Sequence, residues 1–329
     1  MSVNQRVVET VDLRKWYLVK QSILGKDKHY VKAVDGVNLK ILKGEAVGLA
    51  GESGSGKTTL GKLLLLLEEP TYGKILFNGS YVYDSGKVKL RNLKSFRKSV
   101  QMIFQNPYTS FDPRLNIFEN VTEPLIVHNM ARSFEERHQI ALELLLKVGF
   151  NQPEEILFKY PHQLSGGQLQ RASIARALAL DPKFLVADEP TSMLDASLRL
   201  EVLNVLKSLK VNMGLSILLI THDLAAASYL TDKLYIMYLG KIVEYGETYE
   251  LIDNPLHPYT KILTDAILTT RSRKLSDLQI KGELTPVYKE GLCRFSNRCP
   301  YAKETCKNSE LPLVEVRKGH FVACHYPLY

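Results

Sequence analysis

The stretch Gly51 to Thr58, GESGSGKT, places three glycines, a lysine and a hydroxyl in eight consecutive residues. It follows the apolar run EAVGLAG at 45–51 and leads into a segment that reads as a helix from Lys57. Gly, four residues, then Gly-Lys-Thr between a strand and a helix is a phosphate cradle. Gly51, Gly54 and Gly56 let backbone amides turn toward phosphate oxygens, and Lys57 neutralises the β and γ phosphates. The Thr58 hydroxyl is placed for Mg²⁺. Glu52, Ser53, Ser55 and Thr59 complete the binding stretch, whose expected ligand is ATP with Mg²⁺. A merely structural glycine turn would leave the Lys-Thr pair an accident.

FLVADEP at 184–190 is an apolar strand ending in two carboxylates. Asp188, at the strand end, can hold Mg²⁺ through water, which leaves Glu189 to polarise an attacking water. A second glycine stretch, LSGGQ at 164–168, raises a separate question, because one ATP needs one cradle. Read locally, Ser165 caps a helix that begins with Gly166 and Gly167, and such a helix end favours an anion.

These groups need elements to position them. From Val7 to about Tyr81 the chain reads as strands and a turn, including VKAVDGVNL at 31–39 and the strand at 45–51 before the Lys57 helix. From about Asn106 to Leu164 the apolar positions recur three and four apart, clearest in FEERHQIALELLLKVGF at 134–150, as in a helical insertion. Then follow a helix at 166–180, strand FLVAD at 184–188, a helix at 196–210, strand SILLI at 216–220 and two short strands within 234–246. Continuous apolar strands alternating with helices predict an α/β fold with a parallel sheet covered on both faces. From about Asn254 the chain turns to proline-punctuated text holding all four cysteines, as in a separate C-terminal module.

The 329 residues are 45% apolar and 24% charged, enough for a sizeable core. The longest uncharged apolar candidate, Leu63 to Leu67, stops at Glu68 and Glu69, so no membrane span is expected. MSVNQRVVETVDLRK lacks the apolar core of a secretory signal, which predicts a cytosolic location. The formal charge of +8 comes from scattered basic residues, without the aromatic-interleaved stripe that tracks nucleic acid, so no nucleic-acid partner is expected.

LSGGQLQRASIARALAL at 164–180 resembles the signature of the ATP-binding cassette (ABC) ATPases, and the resemblance extends over nearly the whole chain. It implies a P-loop NTPase fold with a RecA-like mixed sheet, an antiparallel β subdomain and a helical subdomain at about 106–164, all within residues 1–253. A small metal-binding extension at 254–329 would follow. It also implies that Leu164, Ser165, Gly166, Gly167 and Gln168 face an ATP held by a second subunit, so that each nucleotide is sandwiched. Gln105, in QMIFQNP, resembles the Q-loop glutamine that links Mg²⁺ and water to the helical insertion. Ser192 to Asp195 resembles the D-loop that crosses to the partner, and His222, in SILLITHD, the switch histidine. Tyr17 is similar to the aromatic that stacks on adenine, with Trp16 and Tyr30 as alternatives because the insert at 18–29 blurs the match. Hydrolysis would then be in-line attack of water, with Lys57, Mg²⁺ and the partner's signature serine stabilising charge, and Glu189 and His222 orienting the water.

FQNPYTSFDPR at 104–114, NPLHPYTKIL at 254–263 and the cysteine tail together resemble the oligopeptide and dipeptide permease ATPases, most closely the second of their two ATPase subunits. The resemblance implies a heterodimer with a second homologous ATPase, two transmembrane permease subunits and an extracytoplasmic binding protein, on the cytoplasmic face of the cell membrane. Leu115, Ile117 and Phe118 either meet a coupling helix of the membrane subunits or are core of the insertion. Nickel or oligosaccharide import is the nearest alternative function. Export, or a soluble role in DNA repair or translation, is more distant, since those soluble relatives commonly join two cassettes or insert coiled coils that this chain lacks.

Cys293, Cys299, Cys306 and Cys324 are separated by five, six and seventeen residues, which fits no paired Cys-x-x-Cys zinc site. In a reducing compartment four clustered thiols favour a metal centre over disulfides. Four cysteinates suit an iron-sulfur cluster or zinc, with His320 and His325 as substitute ligands and unliganded buried thiols as the alternative. Permease ATPases of the resembled group carry a [4Fe-4S] cluster at a similar tail, which implies the cluster here, with Zn²⁺ second.

Overall fold

The computed structural model describes residues 5–21, 28–269 and 291–329. Residues 1–4 of the N-terminal stretch, 22–27 of the insert at 18–29, and 270–290 of the C-terminal extension lie outside the described residues. The described residues divide into two compact units: residues 5–7, 42–45 and 90–219, and residues 8–21, 28–41, 46–89, 220–269 and 291–329.

In the first unit the strands Val100–Ile103 and Phe184–Asp188 pair in parallel, with Val100 opposite Phe184 and Ile103 opposite Ala187. Ser216–Thr221 flanks Phe184–Asp188 on its other side. Every residue of these last two strands is buried, as expected of continuous apolar strands covered on both faces. The insertion forms helices Ile117–Val127, Phe134–Lys147 and Glu154–Leu157. Asn116 starts the first through a capping box with Glu119, and Ser133 caps the second by accepting from the Glu136 amide at 3.0 Å.

The insertion is pinned by aromatic packing and one buried amide. The Phe118 ring meets Phe134 at 5.1 Å and Phe158 at 6.1 Å. Asn120, 2% exposed, donates to the carbonyls of Asp112, Leu115 and Asn116 and accepts from the Asp112 amide, which fixes the turn before the helix. Ile117 and Phe118 are 0% and 4% exposed. They are core of the insertion, which decides for these two between the alternatives the sequence left open. Leu115 is half-buried.

The second unit holds two sheets. In one, Arg6–Gln21 pairs antiparallel with Lys28–Val37 and with Tyr72–Phe77, which continues to Ser80–Asp84 and Lys87–Val88. In the other, Ala46–Ala50 runs parallel to Lys233–Tyr238, which pairs antiparallel with Lys241–Glu247. The tail strand His320–Val322 adds to that edge, with Val322 opposite Glu244, and Val314–Arg317 follows. The rings of Tyr235, Tyr245 and Phe321 stack across the three successive strands at 4.5 and 4.9 Å. The sheet is therefore mixed, and part of the C-terminal extension is built into it.

Candidate active site

Backbone sterics shape the phosphate loop. Gly51, Gly54 and Gly56 all have positive φ. A Cβ on Gly56, at φ +106°, would stand 1.9 Å from the Ala33 carbonyl oxygen, so only glycine fits there. The same loop opens the helix Lys57–Leu64. Lys57 is 4% exposed, and its Nζ donates to the carbonyls of Gly51 at 2.7 Å and Glu52 at 2.9 Å. The ammonium is thereby held within its own loop. Ser55 is fully buried, its amide donating to Glu52 O and its carbonyl accepting from the Gly240 amide. Thr58 and Gly54 are exposed.

Tyr17 stands beside this loop: its ring lies under Lys15, and its hydroxyl bonds Glu68 and Thr59. Burial, with the Glu68 carboxylate, pushes the phenol above its ordinary value. Trp16 is differently engaged, its Nε1 donating to Asp35 at 3.1 Å and its ring contacting Tyr30, Tyr72 and Lys32. Of the three aromatic candidates for adenine, Tyr17 is thus the one joined to the phosphate-loop helix. His222, also in the second unit, is exposed just beyond the strand Ser216–Thr221. The next residue, Asp223, caps the helix Leu224–Leu230.

The first unit carries the acids. Asp188 ends its strand buried, 4% exposed, and Glu189 follows in the left-handed region at φ +44°. The Ser192 amide and hydroxyl both donate to the Glu189 carbonyl, which locks that turn. Gln105 Nε2 donates to Glu189 Oε2 at 3.1 Å. Asp195 caps the helix Ala196–Met213, and the amide and hydroxyl bonds it accepts from Leu198 and Ser197 hold its carboxyl below the usual range.

The signature forms a helix N-terminus as its sequence implies. Ser165 and Gln168 complete a capping box, and the helix runs Gly166–Leu178. Ser165 and Gly166 are exposed while Leu164 and Gly167 are buried. A Cβ on Gly167 would meet the Leu198 side chain at 2.9 Å, so this glycine serves close helix packing. Arg176, on the same helix, donates to Asn120 O at 2.9 Å and Glu123 at 2.7 Å, tying the signature helix to the insertion.

Cys293, Cys299, Cys306 and Cys324 line one narrow cavity with His257, Tyr301, His325 and Tyr326. Burial pushes Cys293 up, Cys299 to about 11 and Cys324 to about 12, with neighbouring thiols adding to the effect. Among the described residues, no three His, Cys, Asp or Glu side chains are grouped to hold a single metal ion. His320, one candidate substitute ligand, instead pairs with buried Glu244 at 2.7 Å.

The sequence reading missed what surrounds the phosphate loop. The Glu52 amide donates to the Tyr259 hydroxyl at 2.7 Å, and the Glu52 carboxylate accepts both terminal nitrogens of Arg298, at 3.0 and 3.3 Å. Asp35 accepts from Trp16 and Arg294 and faces Lys241 at 3.8 Å. These partners lie up to 259 residues apart in the chain, and no local pattern signals them. The only hint was Tyr259 within NPLHPYTKIL.

Residues 34–192 match the ABC transporter family, and residues 243–306 match the oligopeptide/dipeptide transporter C-terminal region. The chain is 41% identical over 98% of its length, and 97% of the relative's, to the oligopeptide transport ATP-binding protein AppF of Bacillus subtilis. It is 39% identical over 98% of its length, and 97% of the relative's, to the dipeptide transport ATP-binding protein DppF of Haemophilus influenzae. A solved dimeric ATP-binding cassette in a post-hydrolysis state with ADP and Pi superimposes with a TM-score of 0.63 at 32% identity, covering 73% of this chain and 98% of that one. With its phosphate loop, signature helix and C-terminal region all in that pattern, the chain belongs to the ABC transporter ATPases, within the oligopeptide and dipeptide transport group.

Proposed function

We propose that this chain is the ATP-hydrolysing subunit of an ABC importer of dipeptides or oligopeptides, working as a nucleotide-sandwich dimer with a second homologous ATPase. The observation that carries this reading is the union of one complete phosphate loop with the oligopeptide/dipeptide C-terminal region in a single chain. Two transmembrane permease subunits and an extracytoplasmic binding protein complete the system, with this subunit at the cytoplasmic face of the membrane. Among the described residues no helix is long and apolar enough to cross a membrane. The cassette occupies residues 1–253 and the extension 254–329.

The roles follow from the side chains. Lys57 exchanges its loop carbonyls for the β and γ phosphates, and Tyr17 offers its ring to adenine. Thr58 in the second unit, and Gln105 and Asp188 in the first, each carry an oxygen donor of the kind that suits Mg²⁺, which when bound would draw charge from the phosphates. Glu189 takes the proton of the attacking water, His222 has the switch-histidine role, and the exposed Ser165 end reads the nucleotide of the partner subunit. The test uses the complete transporter in vesicles. ATP turnover should rise when peptide-loaded binding protein is added; a rise with nickel or oligosaccharide and none with peptide overturns the substrate class.

The tail thiols suit a [4Fe-4S] cluster in donor chemistry, since four cysteines from separated positions border one cavity, while a single Zn²⁺, the second candidate, meets no ready grouping of three ligands among the described residues. Thiols pushed this high would be protonated at neutral pH without a metal to displace the proton. Iron and sulfide analysis with visible absorbance of anaerobically purified protein tests the assignment. A colourless, iron-free sample containing zinc would favour the alternative.

A further inference from the structure

We infer that Arg298, from the cysteine-bearing tail, is a positioning residue of the phosphate loop that neutralises Glu52 and so sets the affinity for nucleotide. The inference rests on the phosphate-loop reading above.

Glu52 is the second residue of the loop, and its backbone carbonyl accepts from the Lys57 ammonium at 2.9 Å, so its negative charge belongs to the same short segment that would hold a polyanion. An unpaired anion at that place opposes nucleotide binding through space, and the opposition grows as water is excluded. Arg298 meets Glu52 with both terminal nitrogens, at 3.0 and 3.3 Å, and NH1 also donates to the Tyr238 hydroxyl at 3.2 Å. The pair is largely desolvated, with side chains 11% exposed for Arg298 and 23% for Glu52. A two-pronged guanidinium is the group that holds a carboxylate in one orientation, which a lysine does less well.

The tail segment that delivers Arg298 is itself fixed. Phe295, 1% exposed, packs against Tyr238 at 5.2 Å and Tyr259 at 5.4 Å, and the Arg298 amide donates to the Phe295 carbonyl. Tyr259 bonds the Glu52 amide from the same cluster. Side chain and backbone of Glu52 are therefore both held by residues beyond position 254, and the guanidinium comes from the residue before Cys299. The C-terminal region thus reaches the nucleotide through one charge pair rather than through a second binding site.

The test is the affinity of the full chain for a fluorescent ATP analogue, measured with Mg²⁺ at low and high salt. Arg298→Met should weaken binding about tenfold, because one partner of a close charge pair is left beside an anionic ligand, and salt should shrink the loss. Arg298→Lys should recover part of it. The double variant Glu52→Gln with Arg298→Met should bind within about threefold of the unaltered chain, since no unpaired anion remains. Glu52→Gln alone, which keeps Arg298, should bind at least as tightly as the unaltered chain. A purely structural contribution of Arg298 gives no rescue, because the double variant lacks the same packing. Arg298→Met binding normally, or the double variant binding as poorly as Arg298→Met, overturns the proposal. Lys57→Ala serves as the reference: loss of binding there with no effect of Arg298→Met sinks this inference alone, whereas normal binding by Lys57→Ala sinks the phosphate-loop reading as well.

Discussion

Gln105 donates its side-chain amide to the carboxylate of Glu189 at 3.1 Å, across 84 residues of chain. The acceptor is held from its backbone side too. Glu189 sits at φ +44°, a region costly for a residue with a Cβ, and Ser192 pays two hydrogen bonds to keep its carbonyl in place. Pro190 follows and restricts the turn further. A carboxylate whose backbone and side chain are both directed is suited to a single orientation toward water. Gln105 also immediately precedes the insertion in the chain, so one hydrogen bond ties the entry of the insertion to the acid.

Glu189→Gln keeps the shape of the side chain while removing the carboxylate proposed to accept the proton. Steady-state turnover should fall by about 10²- to 10⁴-fold, the usual worth of a general base. Affinity for ATP should stay within a few-fold, because the phosphate loop is unaltered. Turnover by this variant near the unaltered rate would remove Glu189 from its role.

Gly56→Ala tests the loop through the backbone alone. Its φ of +106° and a Cβ position 1.9 Å from the Ala33 carbonyl leave no relaxed arrangement. The clash is with main chain, so a side-chain rotation cannot relieve it. Destabilisation of about 2 kcal/mol or more is expected in denaturant titration, together with loss of nucleotide binding. Gly54→Ala meets nothing within 4 Å and carries only the strain of φ +81°, so it should be the milder change in stability. Equal stability losses for the two would contradict the steric account.

The strands and helices around the loop were legible because each carries a local pattern. FLVAD and SILLI are continuous apolar runs and become fully buried strands, and the period in 134–150 becomes Phe134–Lys147. The reading stopped short at Ile117 and Phe118. An apolar pair at a helix start looks the same in sequence whether it faces a partner or the interior, and only Phe134 and Phe158 packing on Phe118 decides it. Likewise the cysteine spacing gave the thiols but not the arginines between them. Arg294 and Arg298 look like solvated charges until Asp35 and Glu52, hundreds of residues upstream, are brought against them.

Ser165→Arg separates binding from turnover. Ser165 is exposed at a helix N-terminus, and its hydroxyl accepts from the Gln168 amide at 3.3 Å. A large cation there fills the approach of a second subunit and removes the cap, at a cost of about 1 kcal/mol to the helix. If the signature serves the partner's nucleotide, the isolated chain should bind ATP with unchanged affinity while turnover of the assembled dimer falls by tenfold or more. Unchanged turnover in the assembled transporter would refute that assignment.

Asp35 contributes to the acid dependence of the second unit with a definite sign. It is 6% exposed, accepts from Trp16 Nε1 at 3.1 Å, bonds Arg294 and faces Lys241 at 3.8 Å. Burial alone would raise its pKa, but the charges of Arg294 and Lys241 outweigh that and hold it below the ordinary carboxylate value. A carboxyl depressed in the folded state binds its proton more readily in the unfolded chain. The stability it contributes is therefore complete above the unfolded value of about 3.9 and is lost as pH falls toward the folded one. Asp35→Asn should lower the unfolding free energy at pH 7 by about 3 kcal/mol, because Arg294 loses its buried counter-charge. The same variant should flatten the dependence of the denaturant midpoint on pH below about 4. If the midpoint of Asp35→Asn fell with acid as steeply as that of the unaltered chain, the stabilising charge would have to reside elsewhere than in this pair.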